Sequence, residues 1–414
     1  MTETSPLQGR AQIYTVAQVV ISSLGFLTSI LGGFVLLLIA ITSFASDTQA
    51  LQQSSALLVL AWTSLFVGFL FLPGLYTGIQ RIRRKHLPTI PPNLGHRLLF
   101  AGLVVWLISL FITFVGSNWS WVGVLNSIFV LPLVILPLIF LVVFGARKLS
   151  LGSPVRTWGA ISFNFFVTMP VALTAEMIIF AIIIFIIIIW LTGNPELLRQ
   201  VMAYSQQLTQ AQMDPAVAEK IVSELFKQPL VLNGSLLVIA LIVPMLEELL
   251  KPMALWFLAG KKLTPSQGFV GGLIGGACFA TLETLGAIGA PTDISWFGLL
   301  LGRMGTGLLH VTLSGLVGWG LASAFYNGNW KRFLGNYLAA VFLHGTWNLF
   351  ALLSGIIPLL PFSDEIGSLP VFLSKIGPAM LTLIAVVNLI ILLSTNRKFQ
   401  QQAGLPDSLP QSAG

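Results

Sequence analysis

The chain has 414 residues, of which 56% are hydrophobic and only 8% are charged, with a formal net charge of +7. Soluble domains carry about a quarter charged residues, so this composition excludes a water-soluble fold and indicates a polytopic membrane protein. The single cysteine, Cys278, excludes a disulfide framework and a cysteine-cluster metal site, and we expect it to be a small core residue.

Ten stretches of the chain are long and apolar enough to cross a bilayer, which takes about 20 residues of α-helix. In chain order, the predicted spans are about 13–44, 56–80, 97–116, 122–145, 161–191, 232–259, 266–290, 296–325, 334–358 and 371–394. The first span is too long for a signal-peptide core, so we expect the protein to retain it. The sequence therefore predicts an all-α fold, a polytopic bundle of about ten transmembrane helices.

The basic residues indicate how the spans are oriented. Most of the 21 lie in alternate connections, of which the richest, between the second and third spans, contains Arg81, Arg83, Arg84, Lys85 and Arg97. Because positively charged loops stay in the cytoplasm, we expect both termini there. We expect the protein itself to lie in the inner or plasma membrane of a prokaryotic cell. The positive charge is then a topology signal, so we expect contacts with membrane lipids and none with nucleic acid.

The polar segments divide the chain into four predicted regions. Residues 1–191 form an N-terminal scaffold of five transmembrane helices, and 192–231 form an extracytoplasmic amphipathic loop. Residues 232–395 form the transmembrane core that carries the chemistry, and 396–414 form a disordered cytoplasmic tail. The loop at 192–231 has two open interpretations, a connector that lies at the membrane interface and a cap that recognises substrate.

Ionisable side chains inside the bilayer cost at least about 2.5–3.5 kcal/mol each, and they therefore mark functional sites. They are almost absent from the first four predicted spans. Glu176 in the fifth span is an exception to which no role is assigned. The others are concentrated in the later spans, where an amide accompanies them: Glu247, Glu248, Lys251, Glu283, Arg303, His310, His344 and Asn348. This asymmetry predicts that the later spans contain the active machinery.

The sixth predicted span contains two adjacent carboxylates, Glu247 and Glu248. On a regular helix, Lys251 would reach either of them, because it follows at spacings of four and three residues. Such a cluster can keep one carboxylate ionised as a base while the other holds a proton as an acid. The alternative interpretation is a charge-balanced packing cluster, with Lys251 extended towards the cytoplasm.

Depth along the predicted helices groups these residues. At 1.5 Å per residue, Glu247, Glu248, His310, His344 and Asn348 lie at about 14–22 Å, whereas Glu283 and Arg303 lie at about 25 and 33 Å. Carboxylates, imidazoles and an amide at one level are suited to activating water and stabilising an oxyanion. Alternatively, His310, His344 and one carboxylate bind zinc while another carboxylate acts as the base. Lys251, Glu283 and Arg303 are expected to support the site.

The ordered set Glu247-Glu248-x-x-Lys251, Phe279-x-x-x-Glu283, His310 and His344-x-x-Trp347-Asn348 resembles the PrsW family of intramembrane proteases. That family is related to the wider CAAX-protease and bacteriocin-processing group, and the resemblance covers about 240–350. It implies that Glu247 is the base for water with Glu248 as its partner, and that Asn348 assists the oxyanion. His310 and His344 would complete a water-binding or metal site. Glu283, which stands where the wider group has histidine, would be the third ligand if zinc is present.

The resemblance implies an intramembrane peptidase of metallo or glutamate type, whose substrate is a single-span membrane protein. Some PrsW relatives cleave a membrane-anchored anti-sigma factor in regulated intramembrane proteolysis, which gives one expected substrate type. Two other functions stay open, a non-catalytic scaffold or sensor of the same fold and a proton-coupled transporter. A transporter would use Glu247, Glu248 and His310 as a relay, but the almost charge-free first half argues against it.

Overall fold

The computed structural model describes residues 9–44, 50–85, 87, 92–116, 122–210, 226–259, 263–288, 296–357 and 368–404. Within these ranges every regular element is helical, which confirms the predicted all-α fold. The same ranges contain ten helical stretches that are long and apolar enough to cross a membrane, as predicted. Helices suit this environment because they satisfy their own backbone hydrogen bonds where no water is present.

The first four spans are single helices: α1 (Gly9–Phe44), α2 (Ala50–Ile82), α3 (Pro92–Gly116) and α4 (Val122–Gly145). The fifth span joins α5 (Pro154–Phe163), a π-helix (Asn164–Thr168) and α6 (Met169–Thr192), and is followed by α7 (Pro195–Gln210). The sixth joins α8 (Pro229–Leu237), a π-helix (Val238–Ile242), α9 (Val243–Leu250) and α10 (Met253–Ala259). The last four are α11 (Pro265–Ile288), α12 (Trp296–Asn327), α13 (Trp330–Ile356) and α14 (Ser368–Gly404).

Exposure of apolar side chains separates lipid-facing helices from central ones. In α3 only 11% of the most apolar stretch is buried, and side chains such as Phe111 and Phe114 are largely exposed. In α11 and α12 the corresponding fraction is 83%. Helices with such exposed apolar side chains are suited to contact with lipid, whereas α11 and α12 form a buried pair.

Glycines allow the backbones of α11 and α12 to touch. Gly268, Gly272 and Gly276 recur every four residues along α11 and therefore share one face. A Cβ atom at Gly272 or Gly276 would collide with the backbone carbonyl oxygen of Ser314 or His310 on α12. The missing side chains thus set the close approach that places the polar residues of these two helices side by side.

The chain divides into two compact units. Unit 1 comprises Met1–Pro170, Lys251–Tyr337 and Val387–Gly414, and unit 2 comprises Val171–Leu250 and Leu338–Val386, each as far as the structure describes it. Neither unit is a single stretch of sequence. The division into four regions stays a prediction, as does the cytoplasmic position of the termini. The structure does not describe residues 211–225 of the loop or 405–414 of the tail.

Side-chain hydrogen bonds connect the N-terminal helices within unit 1. Gln18 of α1 donates to the carbonyl oxygen of Gly74 in α2 at 2.9 Å. The hydroxyl of Ser22 lies 3.0 Å from that of Ser162 in α5. Because polar side chains in an apolar bundle find few other partners, these bonds help to fix the register of α1 against its neighbours.

The last helix is longer than predicted. It was expected to end at about 394, yet α14 continues to Gly404, so residues 396–404 are helical and the prediction of a tail starting at 396 was wrong for them. The extension has partners within unit 1: Asn396 Nδ2 donates to the carbonyl oxygen of Gly145 at 2.8 Å, and the ring of Phe399 packs against Phe269 and Trp319. Composition alone suggested a disordered segment. These contacts offset the conformational entropy that the segment loses when it becomes helical.

The described part of the 192–231 loop is mainly the surface helix α7. Its less exposed residues fall at positions 197, 198, 201 and 204, which lie on one face of a helix. Glu196 and Arg199 form an exposed ion pair at 2.9 Å on another face. The helix is thus amphipathic.

Candidate active site

A string of polar side chains extends through unit 1. The ammonium Nζ of Lys251 lies 2.7 Å from Nδ1 of His310. The other ring nitrogen, Nε2, lies 2.6 Å from Oε2 of Glu283, whose Oε1 is 3.2 Å from Nη2 of Arg303. We refer to Lys251, His310, Glu283 and Arg303 as the unit 1 string.

The partners of His310 fix where its proton lies. A lysine ammonium can only donate hydrogen bonds, so Nδ1 of His310 must accept. A neutral imidazole then carries its hydrogen on Nε2, which donates to the carboxylate of Glu283. His310 is only 1% exposed, so these two partners occupy both of its nitrogens in a buried setting.

Phe279 supports the inner end of the string. The Lys251 ammonium lies 4.7 Å from the centre of its ring, a cation–π geometry. The Phe279 ring also meets the His310 imidazole at 5.3 Å between centroids, with the planes strongly inclined. The phenylalanine of the Phe279-x-x-x-Glu283 motif therefore holds both the lysine and the histidine in place.

The outer end of the string is anchored by Arg303. Its Nε and Nη2 atoms both donate to the hydroxyl of Thr284, at 3.3 and 3.2 Å, while Nη2 pairs with Glu283. The Glu283 side chain is 35% exposed, whereas that of Arg303 is 15% exposed. The string thus runs from the fully buried Lys251 to a carboxylate that is partly accessible.

A break in the sixth span positions Lys251. Helix α9 ends at Leu250, and Pro252, which has no backbone N–H, separates it from α10. Gly275 on α11 gives room for the Lys251 carbonyl oxygen, which would lie 2.7 Å from a Cβ at that position. From this position the Lys251 side chain reaches His310 and Phe279.

Unit 2 contains a second polar group around His344. Its Nδ1 lies 2.9 Å from Oε1 of Glu248. Its Nε2 lies 3.9 Å from Oε2 of Glu247. All three side chains are buried. An ionised carboxylate can only accept, so Nδ1 donates to Glu248. In the neutral imidazole, Nε2 is then the unprotonated nitrogen, and it is directed towards Glu247.

Asn348 is tied to the backbone of the same unit. Its Nδ2 donates to the carbonyl oxygen of Ile239 at 3.0 Å, within the π-helix Val238–Ile242. A π-helix widens the backbone turn and is frequent at functional sites. Gly345 allows α13 to approach, since a Cβ there would collide with the carbonyl oxygen of Ala240. One of the two amide hydrogens expected to assist an oxyanion is therefore committed to the protein.

The donor atoms of unit 2 fit a zinc ion. Histidine ligands of metals usually donate their second N–H to a carboxylate, which is the arrangement of His344 and Glu248. Zinc binds nitrogen and oxygen at about 2.0–2.2 Å, so two tetrahedral ligands lie about 3.4 Å apart. The 3.9 Å between His344 Nε2 and Glu247 Oε2 needs only a small adjustment to reach that spacing. Glu283, by contrast, has one oxygen on Arg303 and the other on His310.

The structure distributes the predicted site residues over the two units. Unit 1 holds the string of Lys251, Glu283, Arg303 and His310, and unit 2 holds Glu247, Glu248, His344 and Asn348. The depth calculation placed Glu283 and Arg303 further outward than His310. Their side chains nevertheless form one string with His310, because they are long enough to cover the difference along α11 and α12. Sequence reasoning missed several contacts. The contact of Arg303 with the Thr284 hydroxyl could have been suggested by the position of Thr284 beside Glu283. The contact of Asn348 with the Ile239 carbonyl and that of Lys251 with His310 have no sequence signal.

One comparison with known proteins gives a match. The model of the family described as PrsW family intramembrane metalloprotease matches residues 169–375, which is half of the chain. Every predicted site residue of both units lies within the matched range. Comparisons with curated proteins and with solved structures gave no match.

Proposed function

The chain belongs to the PrsW family of intramembrane metalloproteases, and from this premise we propose that it hydrolyses a peptide bond of a membrane-anchored protein with its buried carboxylates and histidines. The observation that carries the proposal is the geometry at His344. Glu248 holds one ring nitrogen, and the unprotonated nitrogen faces Glu247 at 3.9 Å. Such a carboxylate beside an oriented imidazole is suited to taking a proton from water.

We assign the proton transfer to Glu247. Its carboxylate is buried but not fully enclosed, at 6% exposure against 0% for Glu248, so it is the one better placed to meet water. The sequence suggested Glu248 as the partner of this base, in the role of an acid. Its hydrogen bond to His344 favours a different assignment, in which Glu248 orients the imidazole. Asn348 stays a candidate for the oxyanion through its second amide hydrogen.

The metal that the family name implies would be held in unit 2 by His344 and Glu247. His310 of unit 1, a ligand predicted from the sequence, stays a candidate. When bound there, zinc would supply a Lewis acid that polarises water and the scissile carbonyl. The same residues also suit a glutamate-type mechanism, in which Glu247 takes the proton of water directly. In both cases Glu247 is the base and His344 is the oriented imidazole.

The proposed substrate is a single-span membrane protein whose cleavage site enters the bilayer. A buried site restricts the enzyme to segments that can be unwound inside an apolar environment. An anti-sigma factor, the substrate type known for some relatives, fits this description. We further propose that the protein lies in the plasma membrane of a prokaryotic cell with both termini in the cytoplasm, as the basic residues predict.

The test is cleavage of a single-span reporter by purified protein in lipid vesicles. Glu247→Gln should lower the cleavage rate by about 100-fold to 10,000-fold, the usual range for loss of a general base. Glu176→Gln is the matched control, since it removes another glutamate of unit 2 to which no role is assigned, and it should cleave normally. Cleavage by Glu247→Gln at the wild-type rate would refute the assignment.

A chelator separates the two mechanisms. A metal-dependent enzyme should lose activity in 1,10-phenanthroline and regain it when zinc is restored, whereas a glutamate-type enzyme should be unaffected. A folded wild-type protein that cleaves no reporter under either condition would favour the non-catalytic scaffold.

A further inference from the structure

Only one nitrogen of His310, Nδ1, could bind a metal ion without breaking a bond to a carboxylate. The Nε2 side is closed by Glu283 at 2.6 Å. The other oxygen of that carboxylate pairs with Arg303, which also donates to the hydroxyl of Thr284. A metal ion that used Nε2 would have to displace a carboxylate already paired with an arginine. Binding through Nδ1 instead preserves the carboxylate–histidine pair, which is the usual outer support of a metal-binding histidine.

A cation already occupies that nitrogen. The Lys251 ammonium lies 2.7 Å from Nδ1, and the side chain is fully buried. The same ammonium rests over the Phe279 ring at 4.7 Å. The lone pair of Nδ1 can serve one hydrogen bond or one metal bond, so the lysine and a metal ion exclude each other there.

We propose that Lys251 is a tethered cation that occupies the metal-binding nitrogen of His310 and must move away before a metal ion binds. The inference rests on the proposed function, because it takes the metal of the family as its ligand. A lysine side chain is flexible, so the ammonium can leave Nδ1 without a change in the backbone. The lysine therefore acts as an internal competitor.

The competition has opposite effects on the two states of the protein. In the metal-free state, Lys251 supplies positive charge near a buried histidine and the Glu283 carboxylate, and so stabilises the fold. In the metal-bound state it has been displaced, so its removal makes binding easier. The apparent affinity for a site that is open one-tenth of the time is about tenfold weaker than the intrinsic affinity.

The experiment compares Lys251→Met with wild type in detergent. Methionine keeps most of the length of lysine and removes its charge. Lys398→Met is the matched control, because Lys398 is also a lysine of unit 1 over an aromatic ring, with Nζ at 4.8 Å from the Trp319 centroid. Cobalt(II) binding is followed by visible absorption, and the melting temperature of the metal-free protein is followed by tryptophan fluorescence.

Lys251→Met should bind cobalt about tenfold more tightly than wild type and melt at a lower temperature without metal. Lys398→Met should bind cobalt as wild type does. A lysine with a purely structural role would lower both affinity and melting temperature, and this result would overturn the proposal. Unchanged affinity, or no cobalt binding by any of the proteins, would overturn it as well.

A measurement on the wild type keeps the proposal testable if Lys251→Met fails to fold. Solid-state NMR of protein labelled with ¹⁵N-histidine contains signals from only four histidines, and His310→Asn identifies those of His310. Without metal, Nε2 should be protonated and Nδ1 unprotonated, and zinc should shift the Nδ1 signal. A zinc-induced shift at Nε2 would overturn the proposal. Reporter cleavage tests the protease separately, so either proposal can fail while the other stands.

Discussion

Two carboxylates, Glu248 and Glu283, each accept a hydrogen bond from a different histidine, at 2.9 and 2.6 Å. Glu248 binds Nδ1 of His344, whereas Glu283 binds Nε2 of His310, so the two imidazoles carry their hydrogens on opposite nitrogens. Each histidine thereby has one nitrogen that donates to a carboxylate, while the other nitrogen accepts from Lys251 in His310 and faces Glu247 in His344. Such orientation is what a metal or proton-transfer site requires of its ligands.

Glu248→Gln tests the first of these pairs. Glutamine can present its N–H to the ring, which would favour the wrong tautomer of His344, so zinc affinity should fall by about 10-fold to 100-fold. Cleavage should fall with it. Titration with zinc and the reporter assay measure the two effects. Glu196→Gln, which alters only the exposed pair with Arg199, should change neither. Unaltered zinc affinity in Glu248→Gln would show that the pair does not orient a ligand.

Arg303→Met tests the second pair. It leaves the Glu283 carboxylate without its arginine, and because that side chain is 35% exposed we expect a loss of only about 1–3 kcal/mol in the free energy of unfolding. Adding Glu283→Gln removes the unbalanced charge and should restore part of the loss. A double-mutant cycle measures the coupling, and strictly additive effects would contradict the ion pair.

Sequence reasoning identified the residue types of both groups but not all of their hydrogen bonds. The cost of placing ionisable groups in a bilayer was enough to single out Glu247, His310 and the others. The contact of the Lys251 ammonium with Nδ1 of His310 depends on helix packing, which the sequence does not show. Whether Asn348 serves the oxyanion or the backbone depends on the carbonyl of Ile239, which only tertiary packing brings within reach.

At the scale of elements, the α11–α12 pair depends on glycines that cannot be replaced. Gly272→Ala would set a Cβ against the carbonyl of Ser314 and should destabilise the protein by about 1–3 kcal/mol or more. Gly286→Ala on the same helix has open space around the new atom and should be neutral or slightly stabilising. Thermal unfolding of the two variants in the same detergent compares them, and equal melting temperatures would refute the close packing.

Most element boundaries followed from hydropathy, and the departures have physical reasons. The fifth and sixth spans were expected as continuous helices, but each contains a π-helix, which depends on local packing rather than on composition. The end of α14 was misplaced because Arg397, Lys398 and Gln400 look like a soluble tail. In the structure Gln400 bonds to the carbonyl of Arg147, and Lys398 lies over Trp319.

At the scale of the whole molecule, the orientation of the spans is open to a direct test. In a Cys278→Ala background, Ser150→Cys and Glu196→Cys each introduce one exposed thiol, at opposite ends of the fifth span. The positive-inside rule predicts that an impermeant maleimide labels Glu196→Cys in intact cells and Ser150→Cys only after lysis. The reverse pattern would place both termini outside the cytoplasm.

The sequence also suggested a simple division of labour, with an N-terminal scaffold followed by a catalytic core. That division remains a prediction, but the compact units follow different limits. Helices α1 to α5 belong to the same unit as His310, and Glu247 belongs to the other. Hydropathy along the chain cannot show such interleaving, because it depends on which helices pack together.

The hydrogen bond from Asn396 to the carbonyl of Gly145 joins residues 251 positions apart in sequence. During translation at about 5–20 residues per second, the partner of Gly145 emerges about 13–50 s after it. A nascent chain therefore holds the glutamates and histidines of the site in the membrane before the packing of unit 1 is complete. A chain that is terminated between Asn348 and Asn396 would therefore retain every residue of the site but would lack this contact of unit 1.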